Sequence, residues 1–221
     1  RAVIWTDFIQ FVVYMLGAAI AFWILLGSIE GGWGAVTDLA HAAPDGDKLR
    51  IFHFDFDLTG DYLFWAGLVG GGVLAVGTHG VDQLMVQRYL SARSQREAAL
   101  ALRLSGFVVL LQFAFFLLIG TALYAYYSQN PPAEPFLESD RVFATFIIDM
   151  MPVGVLGIVL GALFSAAMST LSSSLNSSAT VLVNDILKTD SDSSRLRLAK
   201  WLTVAFGIAQ IVVGISGQWL E

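Results

Sequence analysis

The chain has 221 residues, of which 56% are hydrophobic and only 14% are charged. Soluble domains average about 25% charged residues, so this composition excludes an ordinary soluble protein and, with a mean hydropathy of +0.69, predicts a membrane protein. The chain contains no cysteine, which excludes disulfide bonds and a thiolate metal site. No signal-peptide pattern opens it, and its abrupt ends beside apolar segments predict a fragment of one larger transmembrane domain.

Five apolar segments are long enough to cross a membrane, whose hydrocarbon core of about 30 Å needs about 20 helical residues. The expected spans are 2–27, 62–86, 100–127, 152–187 and 202–220. An all-α, polytopic membrane fold follows from them. Four of the six glycines in the second span, together with the polar run 78–83, predict a broken or loosened helix. These glycines are Gly70, Gly71, Gly72 and Gly77. The fourth span is longer than a membrane requires, so we expect it to tilt or to extend into the cytoplasm.

Charge divides the connecting loops into two classes. Loops 87–103 and 188–200 carry eight Lys or Arg residues, whereas loops 28–61 and 128–141 carry three, against ten acids. Because positively charged loops stay in the cytoplasm, the first pair is predicted inside and the second outside. The first span then enters from the cytoplasm, which places Asp7 near its inner end.

The stretch 163–185 is unusual because it places many hydroxyl groups in an apolar setting. At helical spacing, Ala166, Ser169, Thr170 and Ser173 share one face. Neutral oxygens in an apolar wall suit a small, hard cation, since hydroxyls and a bare carbonyl can replace its water shell. Small and hydroxylated residues also line ordinary helix contacts in membranes. The pattern alone therefore predicts either a cation site or a packing face.

Polar residues in other spans give further candidates. Placing the charged side chain of Asp7 at the membrane centre would cost about 2.5–3.5 kcal/mol. Asp7 is therefore either functional or in contact with water at the inner interface. His79 either lines a pathway or packs as an ordinary hydrogen-bonded histidine. Gln112 needs a hydrogen-bond partner, either a solute or, as we expect, another helix. No nucleophile–His–acid set, phosphate loop or metal-hydrolase motif is present, so no enzyme is predicted.

Three blocks of the sequence resemble the sodium/solute symporter family, the relatives of the sodium/glucose cotransporters. They are 3-VIWTDFIQ-10, 82-DQLMVQRYLSARS-94 and 164-FSAAMSTLSSSLNSSATVLVNDI-186, which follow the family's order and spacing over nearly the whole chain. The resemblance implies a partial leucine-transporter-type inverted-repeat fold, with the five spans as core helices five to nine. The partner core helices one and ten, which carry much of the substrate and sodium sites, are not in this chain.

The resemblance also implies sodium-binding roles. The family's sodium site matches the carbonyl of Ala166 and the hydroxyls of Ser169 and Thr170. Members that couple two sodium ions add a second site with an acid on core helix five, which matches Asp7 here. The serines expected to face this acid are Ser169, Ser172 and Ser173. Coupling to two sodium ions is therefore an expectation.

On the substrate side, His79 falls where sugar-transporting relatives place an aromatic gate residue. Gln83 and Gln112 complete the predicted set of substrate or gate residues. The lysine that those relatives use on core helix seven has no counterpart, since Val109 stands near that position. This difference argues against a glucose-like solute, and no residue names another one.

The implied function is that of a sodium-coupled secondary active symporter, which imports a small organic solute by alternating access with Na+ as the coupling ion. The implied partners are the solute, sodium, the lipid bilayer and the remaining helices of the same transporter, without nucleic acid. The expected location is a cell membrane, namely a bacterial inner membrane, crossed several times. The alternatives are a membrane sensor domain of a signalling protein built on the same fold, a proton-coupled symporter that uses Asp7, and a purely structural membrane subunit.

Overall fold

The structure is a computed structural model that describes residues 2–56, 63–187 and 192–217. Eight α-helices make up most of these ranges: α1 Ala2–Gly27, α2 Gly32–His41, α3 Phe64–Val76, α4 Gln83–Leu90, α5 Gln95–Gln129, α6 Asp140–Met150, α7 Val153–Val181 and α8 Asp192–Gly217. Two π-helical turns, Gly77–Val81 and Leu182–Ile186, continue α3 and α7. The described ranges contain no strand, in agreement with the predicted all-α fold.

Five helical segments are long and apolar enough to cross a membrane, which is the predicted number. They are Trp5–Gly27, Phe64–Val81, Gln95–Gln129, Val153–Ile186 and Ser194–Gly217. The third and fifth begin several residues before the predicted starts at 100 and 202, because each helix continues into its polar flank. The predicted limits at 62 and 220 and the loop residues 188–191 lie outside the described residues.

The start of α5 shows how a helix extends beyond the apolar segment. The Ser94 hydroxyl accepts a hydrogen bond from the Glu97 N–H at 3.2 Å, and the Glu97 carboxylate accepts one from the Arg93 N–H at 3.3 Å. The arrangement resembles a capping box, except that Glu97 accepts from the N–H of the residue before the N-cap. The residues between the predicted spans 62–86 and 100–127 therefore include the end of α4 and the first turn of α5.

The second span is not broken at its central glycines, so that part of the prediction was wrong. Gly70, Gly71 and Gly72 lie within regular α-helix. A glycine costs a helix about 1 kcal/mol relative to alanine, and in a membrane no water competes for the backbone groups. The helix ends instead after the π turn Gly77–Val81, where Asp82 adopts an extended conformation with φ −62° and ψ 117°.

Both outer loops contain a short helix that the sequence analysis missed. In the first loop, Gly31 and Gly32 have φ values of +88° and +57°, a region that glycine adopts without steric cost, and they turn the chain into α2. In the second loop, α6 precedes the fourth span. Val36 of α2 and Phe146 of α6 are completely buried, so both helices belong to the packed structure.

The chain forms two compact units, Arg1–Val73 with Arg93–Phe164 and Leu74–Ala92 with Ser165–Glu221. In the first unit, α1, α2, α5 and α6 surround one core. Its fully buried side chains include Leu25, Val36, Ile119 and Phe146. In the second unit, α4 packs against the π turn that follows α3, and α8 packs against the π turn that follows α7.

A side-chain amide holds the C-terminal ends of α1 and α5 together in the first unit. The Gln129 Oε1 accepts a hydrogen bond from the Glu30 N–H at 2.9 Å, and the Gln129 Nε2 donates one to the Glu30 carbonyl at 3.0 Å. The two residues are 99 positions apart. One side chain therefore pairs both backbone groups of a residue in the turn between α1 and α2, where no helix bond is available.

Candidate sodium-binding site

The predicted sodium ligands lie on one turn of α7, within the second unit. Ala166 and Ser169 are half-buried, and Thr170 is exposed. The Thr170 hydroxyl donates a hydrogen bond to the Ala166 carbonyl oxygen at 3.0 Å. Two of the three predicted oxygens are therefore close enough for one small cation to touch both, a consequence of the four-residue spacing between them.

The bond between Thr170 and Ala166 does not by itself mark a site. Thr180, further along α7, donates the same kind of hydrogen bond to the Asn176 carbonyl at 2.7 Å. Threonine hydroxyls in helices commonly bond to the carbonyl four residues before them. A hydroxyl hydrogen rotates about its C–O bond, and the oxygen keeps its lone pairs. A cation could therefore replace this hydrogen bond without any movement of the backbone.

The predicted second sodium site combines residues of the two units. Ser172 is exposed and Ser173 half-buried on α7 in the second unit, and Asp7 is half-buried near the inner end of α1 in the first unit. An intramembrane acid of this kind is a functional candidate. The second site stays a prediction.

Two further serines of α7 line a cavity within the second unit. The cavity measures about 300 Å³ and lies between α7 and α8. Its lining comprises Ser174, Leu175, Ser178, Phe206, Ala209, Gln210 and Val213. Ser174 and Ser178 are exposed, and small polar residues of this kind are expected at helix contacts in membranes. The cation site at Ala166, Ser169 and Thr170 stays a prediction.

His79 lies within the π turn at the end of the second span and is half-buried. Its Nδ1 is 2.8 Å from the Thr78 hydroxyl oxygen, which itself lies 3.0 Å from the Leu74 carbonyl. A hydroxyl carries one hydrogen. If that hydrogen goes to Leu74, the Nδ1–H of His79 donates to Thr78 and Nε2 is left as an acceptor. Gln83 begins α4, and its side chain lies outside the described residues.

The side chain of Gln112 in α5 lies beside that of Tyr14 in α1, within the first unit. This neighbour lies on another helix, the kind of partner that the sequence predicts. The sequence analysis missed Tyr14, although Asp7, Gln10 and Tyr14 follow one another at i, i+3 and i+7 and so form one polar stripe on α1. Because an amide has two donor hydrogens and an acceptor oxygen, one hydrogen bond to Tyr14 would leave Gln112 with groups for a solute.

The fold and these residues define a class: a helical protein with several membrane spans, in which hydroxyl groups line a long span and another span ends in a π turn. The family model "Sodium:solute symporter family" matches residues 1–218. The chain belongs to this family, which confirms the resemblance seen in the three sequence blocks.

The relatives are named as sodium-coupled transporters. The chain is 32% identical to the sodium/sialic acid symporter NanT of Aliivibrio fischeri, over 96% of this chain and 42% of that protein. It is 32% identical to the sodium-dependent multivitamin transporter of Oryctolagus cuniculus, over 98% of this chain and 34% of that protein. It is 29% identical to the human sodium/iodide cotransporter, over all of this chain and 35% of that protein. The chain thus spans less than half the length of these relatives.

One solved structure shares the fold. It is the substrate-bound outward-open state of a Na+-coupled sialic acid symporter, described as revealing a novel Na+ site. It matches with a TM-score of 0.80 and 29% sequence identity over 93% of this chain and 44% of that chain. The likeness confirms the partial leucine-transporter-type fold.

Proposed function

We propose that the chain is part of a sodium-coupled secondary active symporter that imports a small organic solute by alternating access. Membership of the family carries this proposal, since relatives as different as a sialic acid symporter and a vitamin transporter are all named for coupling to sodium. The proposed activity is transport and not catalysis, with Na+ as the coupling ion. The proposed location is a cell membrane, namely a bacterial inner membrane.

In this proposal, sodium from outside binds to the Ala166 carbonyl and to the hydroxyls of Ser169 and Thr170. Binding stabilises the outward-open state and thereby raises the affinity for solute, because a ligand shifts an equilibrium toward the state that it binds more tightly. Release into the cytoplasm is favoured by the low sodium concentration there and by the membrane potential, which contributes about 2.3 kcal/mol per charge per 100 mV. Asp7 with Ser172 and Ser173 would bind a second ion.

The solute-binding residues proposed are His79, Gln83 and Gln112. Histidine and glutamine offer neutral donors and acceptors, which suit a polar organic molecule. Sialic acid, monocarboxylates and vitamins, for which relatives are named, form the first panel to test for sodium-dependent uptake.

The sodium site is tested by uptake measurements in the full transporter with three threonine variants. Thr170→Val removes the hydroxyl and keeps the side-chain shape. Losing a hydrogen-bonding group to a charge costs about 1.5–3 kcal/mol, so the sodium concentration for half-maximal uptake should rise at least about tenfold. Thr170→Ser keeps the oxygen and should retain most of the affinity.

Thr180→Val is the matched control for this experiment. It removes the same kind of intrahelical hydrogen bond from the same helix, since Thr180 bonds to the Asn176 carbonyl at 2.7 Å. Its sodium dependence should equal that of the wild type. Equal sodium affinities in Thr170→Val and Thr180→Val would show that the Thr170 hydroxyl binds no ion.

A further inference from the structure

A cluster of aromatic side chains lies at the outer end of the second span, in the first unit. We name Phe52, Phe54, Phe56, Phe64 and Trp65 the aromatic strip. The Phe52 and Phe54 rings stack with centroids 5.7 Å apart and an interplanar angle of 15°. The Phe54 ring meets Phe64 at 5.0 Å, and Phe64 meets Trp65 at 5.1 Å. The rings therefore hold one another in place, at distances typical of favourable aromatic pairs.

The position of the strip relative to the membrane follows from its contact with α3. Phe64 and Trp65 are the first residues of a spanning segment, Phe64–Val81. A backbone hydrogen bond from the Phe64 N–H to the His53 carbonyl, 2.9 Å long, fixes the preceding segment beside that helix end. Wherever α3 crosses the bilayer, Phe52 and Phe54 therefore lie at the level where the hydrocarbon meets the headgroups. By the charge of the loops, this is the outer surface.

The segment that carries the strip brings aromatic rings and charged groups close together. Residues 51–56 form no helix, and the stacked rings of Phe52 and Phe54 lie on the same side of it. The Asp55 carboxylate pairs with the Arg50 guanidinium at 3.7 Å, and both side chains are exposed. Aromatic rings beside exposed charged groups suit the boundary between hydrocarbon and water.

The rings remain largely uncovered despite their mutual contacts. Phe52 is 55% exposed, Phe54 58%, Phe56 86% and Trp65 45%. Exposed apolar patches mark interaction sites, and aromatic rings are enriched where a membrane protein meets the headgroup region. The exposed rings of the strip also lie next to the first turn of a membrane-spanning helix, which begins at Phe64.

From these observations we propose that the aromatic strip is an anchor that inserts into the outer lipid interface and holds the first outer loop against the membrane. The partner is the lipid surface itself, at the level of the headgroups and the first acyl carbons. The charged pair Arg50–Asp55 faces the water. The anchor does not depend on which solute or ion the protein transports.

Spin-label accessibility in the full transporter, reconstituted in lipid bilayers, tests this proposal. Because the 221 residues contain no cysteine, single labels can be placed at Phe54→Cys and Phe56→Cys once any cysteine outside these residues is replaced. Asp55→Cys is the matched control, since it is the intervening residue and its exposed carboxylate pairs with Arg50. Collisions are measured with oxygen, which concentrates in the bilayer, and with a water-soluble nickel chelate.

Labels at 54 and 56 should collide more with oxygen than with nickel, at a ratio severalfold above that of the label at 55. Higher nickel than oxygen collision rates at 54 and 56 would place the strip in water and overturn the proposal. Low rates with both reagents would show that another part of the transporter covers the strip, which would also overturn it. If Phe54→Cys unfolds the protein, Phe56→Cys decides alone, because its ring is 86% exposed and contributes little packing. Uptake measured separately keeps this outcome distinct from the sodium-coupling proposal.

Discussion

A close approach of α1 to α7 at Gly17, in the first unit, gives a prediction about packing. A Cβ added to Gly17 would overlap the Cγ2 of Val159 and lie 3.5 Å and 3.6 Å from its Cβ and Cγ1. Valine in a helix has one strongly preferred χ1 rotamer, so its methyl group cannot turn away cheaply. Gly17→Ala must therefore push the two helices apart.

The expected change in the free energy of unfolding follows from two opposing effects. Overpacking costs about 1–3 kcal/mol, whereas replacing glycine by alanine in a helix gains about 0.8–1.0 kcal/mol. Gly106→Ala in α5 isolates the second term, because a Cβ there meets no atom within 4 Å. Gly17→Ala should therefore be less stable than Gly106→Ala by about 1–3 kcal/mol.

The assay is unfolding of the purified full transporter by SDS titration, followed by circular dichroism. A double-mutant cycle with Val159→Ala supplies the control, since residues in contact give non-additive effects. In the Val159→Ala background, the methyl group at position 17 should cost little, and the gain in helix propensity should appear. Equal stability of Gly17→Ala and Gly106→Ala, or additive effects in the cycle, would refute the close contact.

Two further predictions concern the outer surface of the first unit. Gln129→Ala should destabilise the protein by about 1–2 kcal/mol, because two hydrogen bonds to the Glu30 backbone are lost. The stability of Gln129→Glu, which cannot donate to the carbonyl, should lie between those of the wild type and Gln129→Ala. Amide exchange at Glu30 that is unchanged in these variants would contradict the prediction. At Asp47, hydrogen bonds from the Leu49 N–H and then from His41 lower the carboxyl pKa below its usual 3.8. The ionised carboxylate therefore stabilises the folded protein above pH 3.8. This stabilisation is lost as the pH falls through the lowered pKa of the folded state. The protection factor of the Leu49 amide, which corrects the exchange rate for its intrinsic dependence on pH, should fall from roughly pH 5 to pH 3 in the wild type and not in Asp47→Asn. Identical protection factors in the two proteins over this range would show that the Asp47 bonds contribute nothing.

The spans were predictable because long apolar segments give a strong signal that needs no tertiary information. The short helices α2 and α6 were missed because each covers only 10 or 11 residues between spans, and their burial depends on contacts with distant helices. The predicted break in the second span was wrong at Gly70, Gly71 and Gly72 but right at Gly77 and the run 78–83, where the π turn and the end of the helix lie. Glycine lowers helix stability locally, whereas the end of the helix at Asp82 depends on how α4 packs against the π turn.

The candidate site was predictable only where it depends on helix spacing. Ala166 and Thr170 are four residues apart, so their contact at 3.0 Å follows from one turn of helix. Tyr14 was accessible from the same rule, through the polar stripe that it shares with Asp7. The coordination of an ion by oxygens from several helices is different, because it depends on residues far apart in sequence.

The central claim, that the protein binds sodium as its coupling ion, is tested most directly by thermal stability of the full transporter in sodium and in potassium at equal ionic strength. A ligand that binds the folded state stabilises it by about 2.7 kcal/mol at a hundred times its Kd, so sodium should raise the melting temperature of the wild type. Asp7→Asn should show a smaller rise if two ions bind and an equal rise if only the Ala166–Thr170 site binds one. No difference between sodium and potassium in the wild type would contradict sodium coupling and favour the sensor, structural or proton-coupled alternatives.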